Sequence, residues 1–251
     1  MRRWWRDFAD LVLPMTCDGC GRPGTELCAE CGRALYGAVP RRVRPDPEPE
    51  GLPVVHAAAP YRDAVRAVLL AHKERGALGL AGPLGAALAA AVRSGVAFGA
   101  PSARAGVRSV PGCGEVALVP VPSARRAVRA RGHDAARRIA FAASGELRRT
   151  GTHARVAAVL RQRRGVEDQS GLGARQRLAN LDGALEVVAG GVRLLEGTRV
   201  VLVDDLMTTG ASLVAAAQAI KSARDRELAG HDRMSAAVVA VSPSSFEINR
   251  N

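Results

Sequence analysis

The chain has 251 residues, of which 47% are hydrophobic, and its formal net charge at pH 7 is +12. This length and composition predict a globular protein with one core of ordinary size and a small appended module. No apolar run reaches the roughly 18 to 20 residues of a membrane span. The first residues, MRRWWRDFADLVLP, carry acids and lack the small-residue cleavage site of a secretory signal. The sequence therefore predicts a cytoplasmic protein without a transmembrane segment.

The positive charge is almost entirely arginine, because lysine occurs only at Lys73 and Lys221. A biased genomic composition produces the same pattern in an alanine-rich chain, so total charge alone identifies no partner. The local excess is more informative, since residues 120–177 hold fourteen arginines against four acids. A phosphate-rich ligand, a nucleic acid such as single-stranded DNA, or a solvated helix face would each explain this excess.

Four cysteines near the N-terminus form two closely spaced pairs. Two residues separate Cys17 from Cys20, and two separate Cys28 from Cys31. Two such pairs suit tetrahedral coordination by four thiolates, which leaves no open position for chemistry. Two disulfides or four free thiols are the alternatives, and disulfides are disfavoured because nothing marks the chain for an oxidising compartment. The pattern predicts a structural zinc site, and the fifth cysteine, Cys113, has no partner in it.

The zinc site is predicted to belong to an N-terminal module, residues 1–38. Trp4, Trp5 and Phe8 are expected in its core, with a stacking surface for single-stranded nucleic acid as the alternative. Residues 39–53 hold five prolines among charged residues and indicate a linker. The main domain is therefore predicted to span residues 54–251.

Strands and helices alternate along the main domain. This alternation predicts an α/β fold with a mainly parallel sheet flanked by helices. The expected strands are a short one from Val55, then 115–121, 200–203 and 236–241, with a hairpin within 185–195. Helices are expected at 62–73, 78–93, 132–148 and 211–223, a long loop at 95–114 and a polar arginine-rich stretch at 161–177.

The most informative segment is VVLVDDLMTTGAS, residues 200–212. Its first four residues are apolar and mostly β-branched, which suits a buried parallel strand. The turn through Thr208, Thr209 and Gly210 opens a helix at Ala211, and free amides at a helix N-terminus favour an anion such as a 5′-phosphate. The hydroxyl of Ser212 adds another donor, and Gly210 allows close approach of the backbone.

Asp204 and Asp205, at the predicted strand end, are placed to accept hydrogen bonds from two ribose hydroxyls, directly or beside Mg²⁺. The alternative is an ordinary strand, turn and capped helix. Capping requires only one polar residue, whereas this segment has two acids followed by several small or hydroxyl residues. The segment resembles the signature of type I phosphoribosyltransferases, which bind phosphoribosyl pyrophosphate.

Three further segments extend this resemblance to the ComF family, competence-associated proteins that join a zinc knuckle to a phosphoribosyltransferase-like domain. The first is a tyrosine before a helix that ends in lysine and a glycine turn, here Tyr61, Lys73 and Gly76. The second is a PVP segment and an RG dipeptide, at 120–122 and 131–132. The third is an arginine, glutamine and asparagine stretch, 161–180. His133 and Asp134 depart from the usual RGFN pattern of that family.

The resemblance implies roles for these residues. Ser123, Arg125 and Arg126 would hold pyrophosphate, and Lys73 would reach the same phosphates or form a solvated helix end. Residues 161–180 would form a mobile loop that closes over the site and excludes water, or else a disordered arginine-rich connection.

Two functions follow from the resemblance. In the first, the protein binds phosphoribosyl pyrophosphate and serves DNA uptake beside a ComF-type helicase partner. In the second, it is an enzyme that transfers ribose 5-phosphate to a nitrogen nucleophile with Mg²⁺. Purine-salvage relatives carry a carboxylate two positions before the glycine, where this chain has Thr208, so an amido- or orotate-like transferase is the expected enzyme type.

Overall fold

The computed structural model describes residues 15–98, 115–163, 183–227 and 234–247. Strands and helices alternate through these ranges. The strands are β1 (Arg41–Val43), β2 (Val54–Pro60), β3 (Val116–Pro120), β4 (Ala154–Val156), β5 (Leu160–Gln162), β6 (Leu185–Val187), β7 (Arg199–Met207) and β8 (Met234–Val241). The helices are α1 (Ala29–Tyr36), α2 (Asp63–Glu74), α3 (Ala81–Phe98), α4 (Arg125–Arg131), α5 (Ala135–Arg149), α6 (Ala211–Glu227) and α7 (Pro243–Glu247).

Six of the strands form one mixed sheet in the order β1-β2-β8-β7-β3-β4. Every neighbouring pair is parallel except β1 and β2, which are antiparallel. β5 and β6 form a separate antiparallel pair. The α/β fold with a mainly parallel sheet and flanking helices, predicted from the alternation of elements, is confirmed.

Helices and loops cover both faces of the sheet, so β3 and the inner parts of β7 and β8, Val200–Val203 and Ala236–Val241, are apolar. One face packs against α2, α3 and α5, and Leu35 of α1 belongs to the same cluster. The other face packs against α6, α7 and the β5–β6 pair. All five residues of β3 are buried, as expected for a parallel strand covered on both sides.

Small residues allow α3 and α5 to approach closely. A Cβ on Gly85 would lie 2.5 Å from the Cβ of Ala142, a separation that real side chains do not show. Alanines contribute much of the buried surface on both helices, including Ala87, Ala91 and Ala140. The alanine-rich composition therefore has a direct structural role, because it sets the spacing of two helices over the sheet.

The hairpin predicted within residues 185–195 is wrong. Leu185–Val187 instead pairs with Leu160–Gln162, and Arg193–Leu195 is a 3₁₀ turn. Apolar residues on both sides of Gly190 and Gly191 indicated two strands, but Leu195 packs into the core rather than onto a second strand. Pairing across a long connection leaves no local turn signal in the sequence.

Four further features differ from the sequence expectations. The arginine-rich turn after β3 is helix α4, and α5 begins three residues later than predicted, since Asp134 caps it by accepting from the N–H of Arg137 at 3.1 Å. The predicted linker contains β1, which pairs with the edge of the sheet. Helix α3 continues through Phe98 into the predicted loop.

Residues Leu78–Ala97, which include α3, are long and apolar enough by length and composition to cross a membrane, with a mean hydropathy of 1.4. The run-length criterion applied to the sequence did not detect this stretch. Core helices of soluble proteins share these properties, and this helix packs on β2, β8 and α5. Its place over the sheet is consistent with a soluble protein.

The free energy of unfolding is expected to depend on pH, because two histidines are buried. Burial lowers the pKa of His56, and burial likewise lowers the pKa of His72. Below about pH 6.5 the unfolded chain takes up protons that the folded chain does not, so stability is expected to fall as the pH decreases from 7 to 5. Each histidine contributes up to about 1.4 kcal/mol per pH unit, measurable by urea unfolding at several pH values.

His72→Gln should make this pH dependence shallower, because glutamine can donate to the Ala77 carbonyl that now accepts from His72 Nδ1 at 3.2 Å. His153→Gln is the control, since His153 is exposed. Equal slopes for the wild type and His72→Gln would contradict the assignment of the acid sensitivity to His72.

Candidate functional site

The 200–212 segment folds as a strand, a turn and a helix at the carboxyl edge of the parallel sheet. β7 runs from Arg199 to Met207 and α6 begins at Ala211. β7 is longer than expected, because Asp204 and Leu206 still pair with Val238 and Ala240 of β8. In parallel α/β sheets, ligands bind in the crevice at this edge. The aspartates therefore lie in the last part of β7 that pairs with β8, close to the turn at residues 208–210.

The two aspartates differ in exposure. Asp205 is only 5% exposed, whereas Asp204 is half-buried and keeps part of its surface open to solvent. The two carboxylates interact with each other, and both lie close enough to Lys73 to feel its charge. One oxygen of Asp204 accepts the backbone N–H of Asp205 at 2.8 Å. Asp204 is thus the more exposed of the two residues.

Lys73, from the last turn of α2, lies against Asp205. Its Nζ is 2.7 Å from Asp205 Oδ2. Burial tends to lower the pKa of Lys73, but the Asp205 carboxylate outweighs burial and raises it. Burial and the charge of Asp205 raise the pKa of Asp204, and Lys73 opposes that shift. The predicted phosphate-binding lysine therefore joins the predicted ribose acids in one charged cluster.

The turn at the start of α6 has the conformation that a close backbone approach requires. Gly210 has φ +79°, in the region that favours glycine, and a Cβ there would lie 2.9 Å from Leu52 Cδ1. The Ala211 N–H points to Thr209 Oγ1 at 3.5 Å, while Thr208 is exposed. Gly210 and Ala211 are buried, and Ser212 is half-buried. The turn presents Thr208 outward and holds Thr209 against the helix.

The predicted pyrophosphate residues are divided between two places. Lys73 lies at the aspartates, whereas Ser123 lies after β3, where its N–H and its hydroxyl both donate to Asp134, at 3.4 and 3.3 Å. Arg125 and Arg126 are exposed on α4. β3 pairs directly with β7 through Pro120 and Val203, so the two places are neighbours on the same sheet edge.

Beside Ser123 is a cavity of about 420 Å³, which we call the arginine cleft. Helix α4, the start of α5 and strand β5 form its walls. Its guanidinium groups belong to Arg125, Arg129, Arg137 and Arg161, and its other polar side chains are Ser123, Asp134 and Gln162. Sequence analysis did not select Arg129, Arg137 or Asp134 as binding residues. The spacing of Arg125 and Arg129, one helical turn apart, was the available signal.

His133 joins the turn between α4 and α5 to the end of α2. Its Nε2 lies 3.1 Å from the His72 carbonyl oxygen, and its Nδ1 lies 3.2 Å from the Arg131 carbonyl oxygen. Since both partners are acceptors, both contacts are hydrogen bonds only when the imidazole is doubly protonated. Arg131 adds an ion pair with Glu74 at 3.4 Å. These contacts connect the segment that bears Lys73 to the arginine cleft.

The four cysteines near the N-terminus come together as predicted. All four Sγ atoms lie within 4.8 Å of one another, and those of Cys20 and Cys28 are 3.7 Å apart. Tetrahedral zinc with sulfur ligands at about 2.3 Å separates the sulfurs by about 3.8 Å. The cluster can therefore hold a metal ion such as zinc.

Backbone N–H groups favour the thiolates of Cys17 and Cys28, whereas burial raises the pKa of the Cys31 thiol. Burial tends to raise the pKa of the Cys17 thiol, but hydrogen bonds from the N–H groups of Cys28, Gly19 and Cys20 lower it to about 6. Gly19 is required for space, because a Cβ there would lie 2.7 Å from Cys31 Sγ. Thiolates are the form that binds metal.

Several predicted features fall outside the described residues. They include Trp4, Trp5 and Phe8, the loop residue Cys113, and most of the predicted mobile loop, of which only Arg161, Gln162 and Arg163 are described. Arg161 and Arg163 both pair with Glu186, at 2.8 and 3.3 Å, and so anchor the near end of that segment to β6.

The sheet edge thus combines a half-buried carboxylate, a half-buried lysine paired with a buried aspartate, a glycine turn at a helix start and a cleft lined with arginines. This set can bind a hydroxylated, anionic ligand through oxygen acceptors at one end and cationic donors at the other. No protein-family model matches the chain, and no curated protein matches its sequence.

Proposed function

We propose that the protein is a ComF-type, phosphoribosyltransferase-like protein that binds phosphoribosyl pyrophosphate at residues 204–212. The observation that carries this proposal is the Asp204–Asp205 pair on β7, followed by a glycine turn and the start of α6 at the sheet edge. A ribose needs acceptors for its hydroxyls, and a phosphate needs donors. The segment supplies both within nine residues.

Each part of the ligand has a matching group. Asp204, the more exposed of the two aspartates, would accept from the ribose hydroxyls or bind Mg²⁺, whose preferred ligands are oxygens. The amides at the start of α6, with Thr208 and Ser212, would bind the 5′-phosphate. Lys73 would face the pyrophosphate side while it stabilises Asp205. Bound Mg²⁺ would neutralise charge on the pyrophosphate.

We infer that ligand binding, rather than purine salvage, is the role of this site. Thr208 is exposed where purine-salvage relatives place a carboxylate, so the turn has no acid to exchange a proton with a base. A role in DNA uptake in the cytoplasm, beside a helicase partner and single-stranded DNA, follows from the resemblance to the ComF family. An amido- or orotate-like transferase is the alternative from the same resemblance.

We also propose that the four-cysteine cluster binds a structural zinc ion. Four sulfur ligands complete a tetrahedral ion and leave no position for a substrate. The cluster lies along α2, because Ala64 packs against it, a Cβ on Gly19 would lie 3.4 Å from Val68 Cγ2, and Asp18 pairs with Arg75 at 3.6 Å. A metal there would therefore hold the module against α2.

The test of the ligand site is calorimetric titration with phosphoribosyl pyrophosphate and Mg²⁺. Asp204→Asn is expected to weaken binding at least tenfold, because it removes the charge while keeping the shape of the side chain. Asp225→Asn is the matched control, since Asp225 is exposed on α6 away from the loop. Pyrophosphate release in the presence of candidate acceptors, assayed in the same samples, separates a transferase from a binding protein. Equal affinity of Asp204→Asn and wild type would reject the assignment of the site.

A further inference from the structure

The arginine cleft has an excess of positive charge that the protein itself does not neutralise. Four arginines line it against one acid, Asp134, a formal surplus of three, and the Arg137 guanidinium lies 5.7 Å from the centre of the Phe141 ring. Asp134 is already engaged, because it accepts from Ser123 and from the N–H of Arg137. Glu186, outside the cleft, pairs with Arg161 but is shared with Arg163.

Arg125 and Arg129 carry most of this unbalanced charge. Among the residues that the structure describes, neither side chain has a hydrogen-bond or ion-pair partner, and both are exposed. They lie four residues apart on α4, where like charges destabilise a helix. α4 also has no buried residue to anchor it. Helix α4 would therefore gain stability from an anion that bridges these two arginines.

The floor of the cleft is apolar. It is formed by Pro120, Pro122, Val128, Ala158 and Leu160. A polyanion such as a nucleic-acid backbone requires an extended basic groove, whereas this cavity has the volume of a site for one small molecule. Guanidinium planes bind carboxylate and phosphate through paired hydrogen bonds and stack on flat rings. The cleft suits a compact ligand with an anionic group and a planar body.

We propose that the arginine cleft is a binding site for a small planar organic acid, with a carboxylate or phosphate held by Arg125 and Arg129 and its ring over the apolar floor. The site goes beyond the proposed phosphoribosyl pyrophosphate site, and its occupancy does not require that ligand. The cleft adjoins the 204–212 segment through the pairing of β3 with β7.

Two matched ligand pairs test this site by calorimetry on the full-length, zinc-replete protein. Benzoate against benzamide tests a carboxylate on the same ring, and phenyl phosphate against phenol tests a phosphate without a ribose. At least one acid should bind roughly tenfold or more tightly than its neutral counterpart. Each titration is run with and without phosphoribosyl pyrophosphate and Mg²⁺, so that binding of that ligand is measured separately.

Arg129→Gln should weaken binding of the acid roughly tenfold or more, because glutamine keeps a long polar side chain but removes the charge. Arg66→Gln is the control for net charge, since Arg66 is exposed on α2 outside the cleft. Asp204→Asn should leave the acid's affinity unchanged.

The outcomes separate the two proposals. An acid that binds while phosphoribosyl pyrophosphate does not would support the cleft and reject the proposed function. Binding of phosphoribosyl pyrophosphate without binding of either acid would reject the cleft and leave the proposed function in place. Three results would overturn the cleft as a separate site. The first is equal affinity for the acids and their neutral counterparts, and the second is an equal loss of affinity in Arg129→Gln and Arg66→Gln. The third is a loss of affinity for the acid in Asp204→Asn but not in Arg129→Gln.

Discussion

Cys17→Ser is expected to release the metal and to destabilise the protein by several kcal/mol. Cys17 is 1% exposed and its sulfur accepts the N–H of Cys28 at 3.3 Å, so serine cannot replace it as a soft ligand. The sequence places the zinc site in a module of residues 1–38, so a loss of stability confined to that module would be expected from sequence alone. The structure predicts a wider effect, because Leu35 of α1 is fully buried in the cluster that covers the main sheet.

Metal analysis and urea unfolding check this result. Wild type should contain one zinc ion per chain and Cys17→Ser none, with a lower unfolding midpoint for the main domain as well. Cys113→Ser is the matched control, since Cys113 lies outside both cysteine pairs in the sequence. Full zinc content in Cys17→Ser would show that the four cysteines are not the metal site.

Lys73→Met is expected to lower stability by about 3 kcal/mol and to abolish binding of phosphoribosyl pyrophosphate. It leaves the buried Asp205 carboxylate without its partner and beside Asp204, and removing one member of a buried ion pair is strongly destabilising. Methionine keeps the length of the side chain and its packing, so the loss of stability and of binding measures the effect of removing the charge. Urea unfolding and calorimetric titration measure the two effects.

The double variant Lys73→Met with Asp205→Asn separates stability from binding. It removes both charges together, so much of the stability lost in the single variant should return. Binding should not return, because the cationic group at the sheet edge is still missing. If the double variant were as unstable as Lys73→Met, the cost would come from packing of the lysine stem rather than from a stranded carboxylate.

The parts of the fold that were predicted from sequence carry strong local patterns. The four apolar residues before Asp204 predicted β7, and the turn through Gly210 predicted the start of α6, which begins at Ala211 as expected. The cysteine pairs predicted a cluster that the structure confirms as close enough for a metal. Each of these features depends on residues within about twenty positions, where spacing alone restricts the geometry.

The features that were not predicted from sequence depend on contacts between distant segments. Lys73 and Asp205 meet because β2 and β7 both pair with β8, which no local pattern reveals. The same applies to β5 and β6, which pair across residues 163–184. The arginine cleft needs α4, which appeared as a loop because four arginines in seven residues show no apolar periodicity.

The position of β8 has a consequence for how the protein is made. β8 lies between β2 and β7, near the middle of the sheet, although its residues, Met234–Val241, are close to the end of the sequence. Until these residues leave the ribosome, β2 has only the short strand β1 beside it, and its other edge presents unpaired N–H and C=O groups. The nascent chain therefore carries two incomplete half-sheets, and a late-arriving strand joins them. Premature termination before Met234 should leave aggregation-prone fragments rather than a smaller folded domain.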